Sequence, residues 1–108
     1  ITFNFTIQND IKTTKLSSIE GMNIYRTIQE AINNSIKYAN ATQIDIEVNQ
    51  LNNKKQITII DNGIGFNEHE IEKGNGLQNM QKRIEEINGQ FSLESSKNGT
   101  IITLIIKS

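Results

Sequence analysis

The chain has 108 residues, with 35% hydrophobic residues, 21% charged residues and a formal net charge of −1 at pH 7. This length suits one domain with a modest core, and the nearly neutral charge gives no electrostatic reason to expect nucleic acid or an anionic membrane as partner. There is no cysteine, which excludes a disulfide framework and a thiolate metal site and is compatible with the cytoplasm.

Hydrophobic periodicity predicts a strand and then a long helix at the start of the chain. Ile1–Ile7 alternates apolar and polar residues, which is the period of a half-buried strand. Because residue 1 already lies inside that strand, we expect residues 1–108 to be one domain of a longer protein. A polar loop runs to Ser18. Ile19–Ala39 then repeats apolar residues at steps of three and four, as an amphipathic helix does, and Asn40 is a plausible stop.

The rest of the chain alternates between strand and helix periods. The complete order is strand, helix, strand, strand, helix, strand, strand, which predicts an α+β fold with a mixed or antiparallel sheet and helices on one face. The remaining elements are a strand at Thr42–Gln50, a turn at Leu51–Lys55, a strand at Gln56–Ile60, a polar loop at Asn67–Gly76, a helix marked by Leu77, Met80, Ile84 and Ile87 and capped by Gly89, and strands at Gln90–Glu94 and Thr100–Ile106 joined by an Asn98-Gly99 turn.

The long helix carries polar residues at helical spacing. Glu30, Asn34 and Lys37 form a stripe that we place roughly opposite the apolar face. One interpretation is a solvated surface. The other is a site, with a carboxylate that acts as a base or orients water, an amide oxygen that ligates a hard cation, and a lysine that contacts a phosphate. Magnesium fits the second interpretation because it takes few protein ligands and keeps its waters and substrate phosphates.

The segment DNGIGF, residues 61–66, follows an apolar strand and is a second candidate. An Asx-type turn explains Asp61, Asn62 and Gly63 but leaves Gly65 unexplained. Two glycines one residue apart let backbone approach a flat ligand closely. A buried Asp with no basic residue nearby in sequence needs a hydrogen-bond donor, and the exocyclic amino group of a purine is one. For this segment alone, a simple turn and a purine site both remain open.

The segment Gly74–Met80 leads directly into the second helix and is a third candidate. Glycines before a helix N-terminus are typical of phosphate sites, because the first backbone N–H groups are unpaired and the helix dipole is positive there. The alternative is a flexible loop, since the segment matches neither the dinucleotide fingerprint nor a P-loop. His69, the single histidine, lies in the polar loop before it, and we interpret it as solvated rather than metal-bound.

In this order, the candidates resemble the ATP-binding domain shared by gyrase, heat-shock chaperones, histidine kinases and MutL. Within that superfamily they are most similar to the catalytic domain of NarL-type sensor histidine kinases. Ile24–Ala39 looks like the asparagine box, Asp61–Gly65 like the first glycine box, Gly74–Met80 like the second, and Gly99-Thr100 like the closing threonine motif. The resemblance covers nearly the whole chain.

The resemblance implies a two-layer α/β sandwich of the Bergerat type, with a mixed, mostly antiparallel sheet under three helices. The third helix would lie within residues 9–19 or arise from a break of the long helix near Gly21. ATP and Mg²⁺ would be the ligands. By similarity, Asp61 takes the adenine amino group, Thr100 supports it through water, and Gly63 and Gly65 let backbone approach the adenine. Asn34 ligates magnesium, and Glu30 orients a metal-bound water or acts as a base. Lys37 and Tyr38 contact phosphates, while Gly74, Gly76 and the N–H groups at Leu77 close over the triphosphate.

The same resemblance implies a catalytic domain of a two-component sensor histidine kinase. It would pass the γ-phosphoryl group of ATP to a histidine on a separate dimerisation domain of the parent protein, which serves a response regulator. The chain contains no phosphoacceptor histidine box, and His69 lies in the lid. Tyr38 stands where many relatives carry His. An anti-sigma-factor serine kinase and a nucleotide-binding module without transfer activity are the alternatives. We expect a cytoplasmic domain with no direct membrane contact, whether or not its parent is anchored in a membrane.

Overall fold

The computed structural model describes residues 1–7, 17–37, 39–51, 53–64 and 76–107. Within these ranges lie five strands and two helices, in the order that the sequence predicts. They are β1 (Thr2–Ile7), α1 (Ser18–Lys37), β2 (Gln43–Leu51), β3 (Lys54–Asp61), α2 (Gly76–Glu86), β4 (Gln90–Ser96) and β5 (Gly99–Lys107).

The five strands form one sheet in the order β1-β2-β3-β5-β4. β1 pairs with β2 in parallel, and the other three pairs are antiparallel, which confirms a mixed and mostly antiparallel sheet. β3 is the central strand. Its last residue, Asp61, lies opposite Ile44 of β2 on one side and opposite Thr100 of β5 on the other.

One face of this sheet is covered by the helices and forms the core. Because side chains alternate along a strand, Ile57, Ile59 and Asp61 all point to that face. α1 lies on it and packs against α2. This arrangement confirms the two-layer sandwich. The buried core residues are Ala31, Ala41, Ile44, Ile46, Ile57, Ile59, Met80, Ile84, Ile102, Leu104 and Ile106.

The strand β1 forms as predicted, but the expected half-burial is wrong. Phe3, Phe5 and Ile7 pair with β2 residues that face the helices, yet they are 54%, 62% and 55% exposed. β1 is one of the two edge strands of the sheet, and its backbone pairing to β2 rather than buried side chains holds it there. Alternating apolar and polar residues predict which face of the sheet each side chain takes. They do not predict whether a helix covers that part of the face.

The helix α1 begins with a capping box and is continuous. The backbone N–H of Ser17 donates to Glu20 Oε1 at 2.9 Å, and the Glu20 N–H donates to Ser17 Oγ at 3.1 Å, so each residue satisfies a donor of the other. Gly21 lies inside the helix, and the predicted break there does not occur. Of the alternative position for a third helix, residues 18 and 19 belong to α1 and residues 9–16 lie outside the described residues.

The helix α2 ends in a Schellman motif that differs in one residue from the prediction. Asn88, with φ of 61°, takes the left-handed position. The N–H of Asn88 donates to Glu85 O at 3.0 Å and that of Gly89 to Ile84 O at 2.9 Å. Gly89 is therefore one position beyond the left-handed cap. A Cβ on Gly89 would lie 2.8 Å from the Ile84 side chain, so the position has too little space for a larger residue.

Two predicted turns are also displaced. β2 continues to Leu51 and β3 begins at Lys54, so the predicted turn at Leu51–Lys55 is too long. In the last hairpin, Ser96 pairs with Gly99, which places the connecting residues one position earlier than an Asn98-Gly99 turn. The two lysines of β3 carry no apolar signal, and this is why the sequence pattern missed the start of the strand.

Candidate functional site

The candidate site centres on Asp61, at the end of the central strand. The strand turns the Asp61 side chain to the helix-covered face, where it is only 4% exposed. A buried carboxylate is costly unless hydrogen bonds compensate for the water it loses. The surroundings of this one side chain therefore decide what the site can do.

Within the described ranges, three donors from three parts of the chain hold the carboxylate. Ser35 Oγ donates to Oδ2 at 2.6 Å, and the backbone N–H groups of Gly63 and Thr100 donate to Oδ1 at 3.0 and 3.1 Å. The sequence predicts that a buried Asp61 needs a hydrogen-bond donor, and the protein itself supplies three of them. A carboxylate offers about four lone pairs, two on each oxygen. The described donors therefore use both positions of Oδ1 and one position of Oδ2, and among the described residues no donor takes the second position of Oδ2.

The segment after Asp61 is a turn, as the sequence predicts. The bond from the Gly63 N–H to Asp61 Oδ1 spans two residues, which is the Asx-turn pattern. The turn rests on the connection between α1 and β2, because the Ile64 N–H donates to Ala39 O at 3.0 Å. The turn and a binding site are thus not alternatives, since the turn supplies one of the three donors to Asp61.

Gly63 lies so close to Ala39 that no side chain fits. A Cβ on Gly63 would collide with the Ala39 carbonyl oxygen and lie 2.7 Å from the Ala39 Cβ. This packing against the connection between α1 and β2 is a reason for the glycine that the sequence did not show. It is independent of the predicted approach of the backbone to an adenine, which stays a prediction.

Asn34 lies on the buried side of α1, so the predicted position of the polar stripe is wrong for this residue. It is 4% exposed and follows Thr27, which is fully buried, by seven residues. Seven residues are close to two helical turns, so Asn34 returns to nearly the direction of Thr27. Among the described residues, Asn34 Nδ2 has no hydrogen-bond partner. Burial of an amide without a partner is costly, and this makes Asn34 a candidate ligand-binding residue rather than a solvated one.

The other two residues of the predicted stripe are more accessible. Glu30, one turn before Asn34, is half-buried, and Lys37 at the end of α1 is exposed. The three side chains thus run from the core side of the helix towards solvent. Asn34 and its neighbour Ser35 are both buried, and Ser35 contacts the Asp61 carboxylate, whereas Lys37 is exposed at the end of α1.

Thr100 contacts Asp61 through its backbone. It is 1% exposed, its N–H donates to the carboxylate, and its Oγ1 lies 3.4 Å from Ser95 Oγ. Gly99 before it has φ of 136°, and a Cβ there would collide with the Asp61 carbonyl oxygen. Asp61 and Thr100 also border an open cavity of about 320 Å³, whose other lining comes mainly from the β4–β5 hairpin.

The N-terminus of α2 fits the predicted anion site. The helix begins at Gly76, and Leu77 packs against the core. Its first turn contains no acidic residue, so nothing on the helix itself neutralises the positive end of the dipole.

At the C-terminal end of α2, Asn23 Nδ2 of α1 donates to the Arg83 carbonyl oxygen at 2.8 Å and to Glu86 Oε2 at 3.2 Å. Asn23 thereby fixes α2 to α1.

Several predicted site residues lie outside the described residues: Tyr38, Gly65 and Gly74, together with His69. Sequence reasoning also missed Ser35 and Asn62, which the structure brings to the site, and Asn23, which fixes the far end of α2 to α1. Ser35 carried a signal, because a hydroxyl residue in an apolar helical stripe needs a partner. Asn62 and Asn23 carried none, since their partners are distant in the sequence.

Among the described residues, no group of three or more His, Asp or Glu side chains could hold a metal ion. No described helix is long and apolar enough to cross a membrane. Asn34 is the candidate metal ligand among the predicted site residues that the structure describes. Rotation of the Asn34 amide by half a turn exchanges its nitrogen and oxygen with little change of shape, so this position can present an oxygen, the atom that magnesium prefers.

Three solved structures with the same fold come from histidine kinases. A histidine kinase domain from the Erythrobacter litoralis EL346 blue-light activated histidine kinase superposes with a TM-score of 0.77 at 16% identity, covering 97% of this chain and 54% of that one. The Acinetobacter baumannii histidine kinase AdeS gives 0.77 at 18% identity, covering 98% and 53%. The catalytic domain of the histidine kinase ThkA gives 0.77 at 21% identity, covering 98% and 78%.

At these identities the likeness shows the fold alone, and the chain spans about half the length of the first of these structures. A match to a family model shows the family as well as the fold. The model described as histidine kinase-, DNA gyrase B- and HSP90-like ATPase matches residues 20–108, which include α1 with Asn34, the Asp61 turn and the N-terminus of α2. The chain therefore belongs to the histidine kinase-, DNA gyrase B- and HSP90-like ATPase family.

Proposed function

We propose that this chain is the ATP-binding catalytic domain of a sensor histidine kinase, which donates the γ-phosphoryl group of ATP to a histidine on a separate dimerisation domain. The observation that carries the proposal is the Asp61 carboxylate, which accepts from three donors in the described part of the chain, and these leave one acceptor position on Oδ2. The 6-amino group of adenine is a donor and matches that position. Guanine presents a carbonyl oxygen there and would repel it.

The phosphate end of the nucleotide is assigned to the two helices. The first N–H groups of α2, which have no partner within a helix, and the positive end of its dipole favour a triphosphate. Lys37, exposed at the end of α1, contacts a phosphate in this proposal. Asn34 ligates magnesium, which, when bound, neutralises charge on the phosphate oxygens.

Catalysis in this proposal consists mainly of positioning. Phosphoryl transfer leaves the protein little covalent work, so holding the base, the phosphates and the acceptor in line supplies most of the effect. Glu30 is half-buried one turn from Asn34. It orients water at the metal or accepts a proton from the incoming nucleophile. The γ-phosphoryl bond to the imidazole nitrogen forms as the bond to the ADP oxygen breaks.

The partners follow from the proposed reaction. A phosphorylated histidine on the dimerisation domain of the parent protein would serve a response regulator in a two-component system. We place the domain in the cytoplasm, where ATP is available, without nucleic acid as a partner. The net charge of −1 supports the last point.

Replacement of Asp61 by Asn tests the adenine assignment. In Asp61→Asn, the amide oxygen still accepts the N–H groups of Gly63 and Thr100, and the Ser35 hydroxyl can accept from the amide nitrogen, so the fold should persist. The second amide hydrogen then opposes the adenine amino group, donor against donor. We expect ATP affinity to fall by more than tenfold, equivalent to about 1.5–3 kcal/mol or more. Unchanged ATP affinity by calorimetry, with an unchanged circular dichroism spectrum, would contradict the assignment.

Phosphoryl transfer needs a second experiment. With labelled ATP, the isolated chain should incorporate little phosphate, and a purified domain of the parent that carries the acceptor histidine should become labelled when it is added. Acid-labile, base-stable label identifies phosphohistidine. Acid-stable label on a serine of a partner would support the serine-kinase alternative, and strong labelling of His69 would show that the acceptor assignment is wrong.

A further inference from the structure

Asn62 is exposed, yet its side chain makes three hydrogen bonds to the protein. Its Oδ1 accepts the backbone N–H groups of Thr42 and Gln43 at 3.0 and 2.9 Å, and its Nδ2 donates to Thr42 Oγ1 at 3.0 Å. Its backbone N–H donates to Gln43 O at 3.2 Å. An exposed asparagine usually bonds to water, so three bonds to one short segment indicate a specific role.

These bonds extend the attachment between two strands beyond the end of the sheet ladder. The last paired residue of β3 is Asp61, opposite Ile44 of β2. Thr42 and Gln43 lie at the entrance of β2, and Gln43 also pairs with β1. Asn62 therefore fixes the chain directly after Asp61 to the point where β1 and β2 both begin.

The residue that follows Asn62 is the one that matters for the site. The N–H of Gly63 is one of the two donors to Asp61 Oδ1. Gly63 itself is pressed against Ala39 and has no side chain to hold it in place. If Asn62 were free to move, the Gly63 N–H would lose its fixed direction, and the Asp61 carboxylate could turn about its last side-chain bond.

We infer that Asn62 is a positioning residue for nucleobase recognition: its clamp on Thr42 and Gln43 holds the Gly63 N–H on Asp61 and thereby keeps the remaining Oδ2 acceptor directed at the ligand. The inference rests on the proposed function, because it assumes that Asp61 accepts the adenine amino group. Asn62 does not itself touch the ligand in this assignment.

Two nucleotides separate positioning from simple stabilisation. Purine riboside 5′-triphosphate is identical to ATP except that it lacks the 6-amino group, so the ratio of its dissociation constant to that of ATP measures the Asp61–amino bond. A clamp that only stabilises the fold would lower the melting temperature of a variant without changing this ratio at a temperature where the variant is folded.

The variants are chosen by which bonds they keep. Asn62→Ala removes all three side-chain bonds, and we expect the ratio to fall by roughly tenfold, towards one. Asn62→Asp keeps both acceptor positions, and the Thr42 hydroxyl can turn to donate, so the ratio should return to near the wild-type value. Thr42→Val removes only the contact to Nδ2 and is the matched control, with a ratio close to wild type. If Asn62→Ala does not fold, Asn62→Ser replaces it. The serine side chain is one bond shorter than that of asparagine, so its oxygen does not reach the N–H groups of Thr42 and Gln43.

The outcomes are distinguishable in calorimetric titrations with Mg²⁺. A wild-type ratio near one would overturn the proposed adenine contact of Asp61. A wild-type preference for ATP that Asn62→Ala or Asn62→Ser retains in full would overturn the role of Asn62 and leave that contact intact. Loss of the preference in the alanine or serine variant, with recovery in Asn62→Asp, supports the inference.

Discussion

Ser35 and Asp61 are joined by a 2.6 Å hydrogen bond although they are 26 positions apart in the chain. The bond links the helix layer to the central strand, and both residues are almost completely buried, at 2% and 4% exposure. Ser35 stands next to Asn34, the candidate magnesium ligand. The same bond therefore stabilises the packing of α1 on the sheet and orients the carboxylate of the candidate site.

Ser35→Ala should weaken both stability and nucleotide binding. The buried carboxylate loses a donor, and a hydrogen bond to a charged group contributes roughly 1.5–3 kcal/mol. We expect a loss of that order in the free energy of unfolding, measured by urea denaturation, and weaker ATP binding by calorimetry. Asn33→Ala changes an exposed polar residue of the same helix and serves as the control. ATP affinity that stays at the wild-type value in Ser35→Ala would argue against an orienting role.

Asn34→Ala should affect metal-dependent binding most. If Asn34 ligates magnesium, its loss weakens ATP binding in Mg²⁺ by more than it weakens binding in EDTA. The buried Nδ2 has no described partner, so truncation sacrifices no protein hydrogen bond at that atom, and the free energy of unfolding should change little. Equal loss of affinity with and without magnesium would rule out a ligand role.

Gly63→Ala should destabilise the protein, and Gly21→Ala should stabilise it. A Cβ at Gly63 meets the backbone of Ala39, whereas one at Gly21 meets nothing within 4 Å. Overpacking against backbone costs about 1–3 kcal/mol, while alanine in a helix interior is favoured over glycine by about 0.8–1 kcal/mol. Thermal and urea unfolding of the two variants provide the comparison. A Gly63→Ala protein as stable as wild type would show that the turn can move away from Ala39 without penalty.

The capping box of α1 should make stability depend on pH in the acid range. The Ser17 N–H and hydroxyl lower the pKa of Glu20 below its ordinary value of 4.5. A lowered pKa means that the folded state prefers the charged form. The contribution of Glu20 is therefore present above pH 4.5 and is lost as pH falls through the lowered pKa.

Titration of the Glu20 carboxyl by NMR measures this directly. The wild-type midpoint should lie below 4.5. Ser17→Ala removes the hydroxyl but keeps the backbone N–H, so the pKa of Glu20 should rise only part of the way. An unchanged midpoint in Ser17→Ala would mean that the hydroxyl contributes nothing to the shift.

The motif residues of the site were predictable where the local hydrophobic and turn pattern agrees with the order of the candidate segments along the chain. The order of strands and helices, the turn after Asp61 and the glycine that opens α2 all follow from short-range signals. The placement of Asn34 was not predictable in the same way. Its neighbours gave a polar stripe, and only the packing of α1 on the sheet shows that Asn34 lies on the buried side.

By itself, the sequence determined the kinds of elements, their order and the identity of the carboxylate at the end of β3, because hydrophobic period and turn chemistry act over a few residues. The tertiary structure decided what surrounds that carboxylate. Ser35, Gly63 and Thr100 meet Asp61 only after a helix crosses the sheet and β5 pairs with β3. It also decided that Asn62 holds the turn, since its partners lie 19 and 20 positions away, at the entrance of β2. Contacts between distant segments depend on how layers pack, and no local pattern records them.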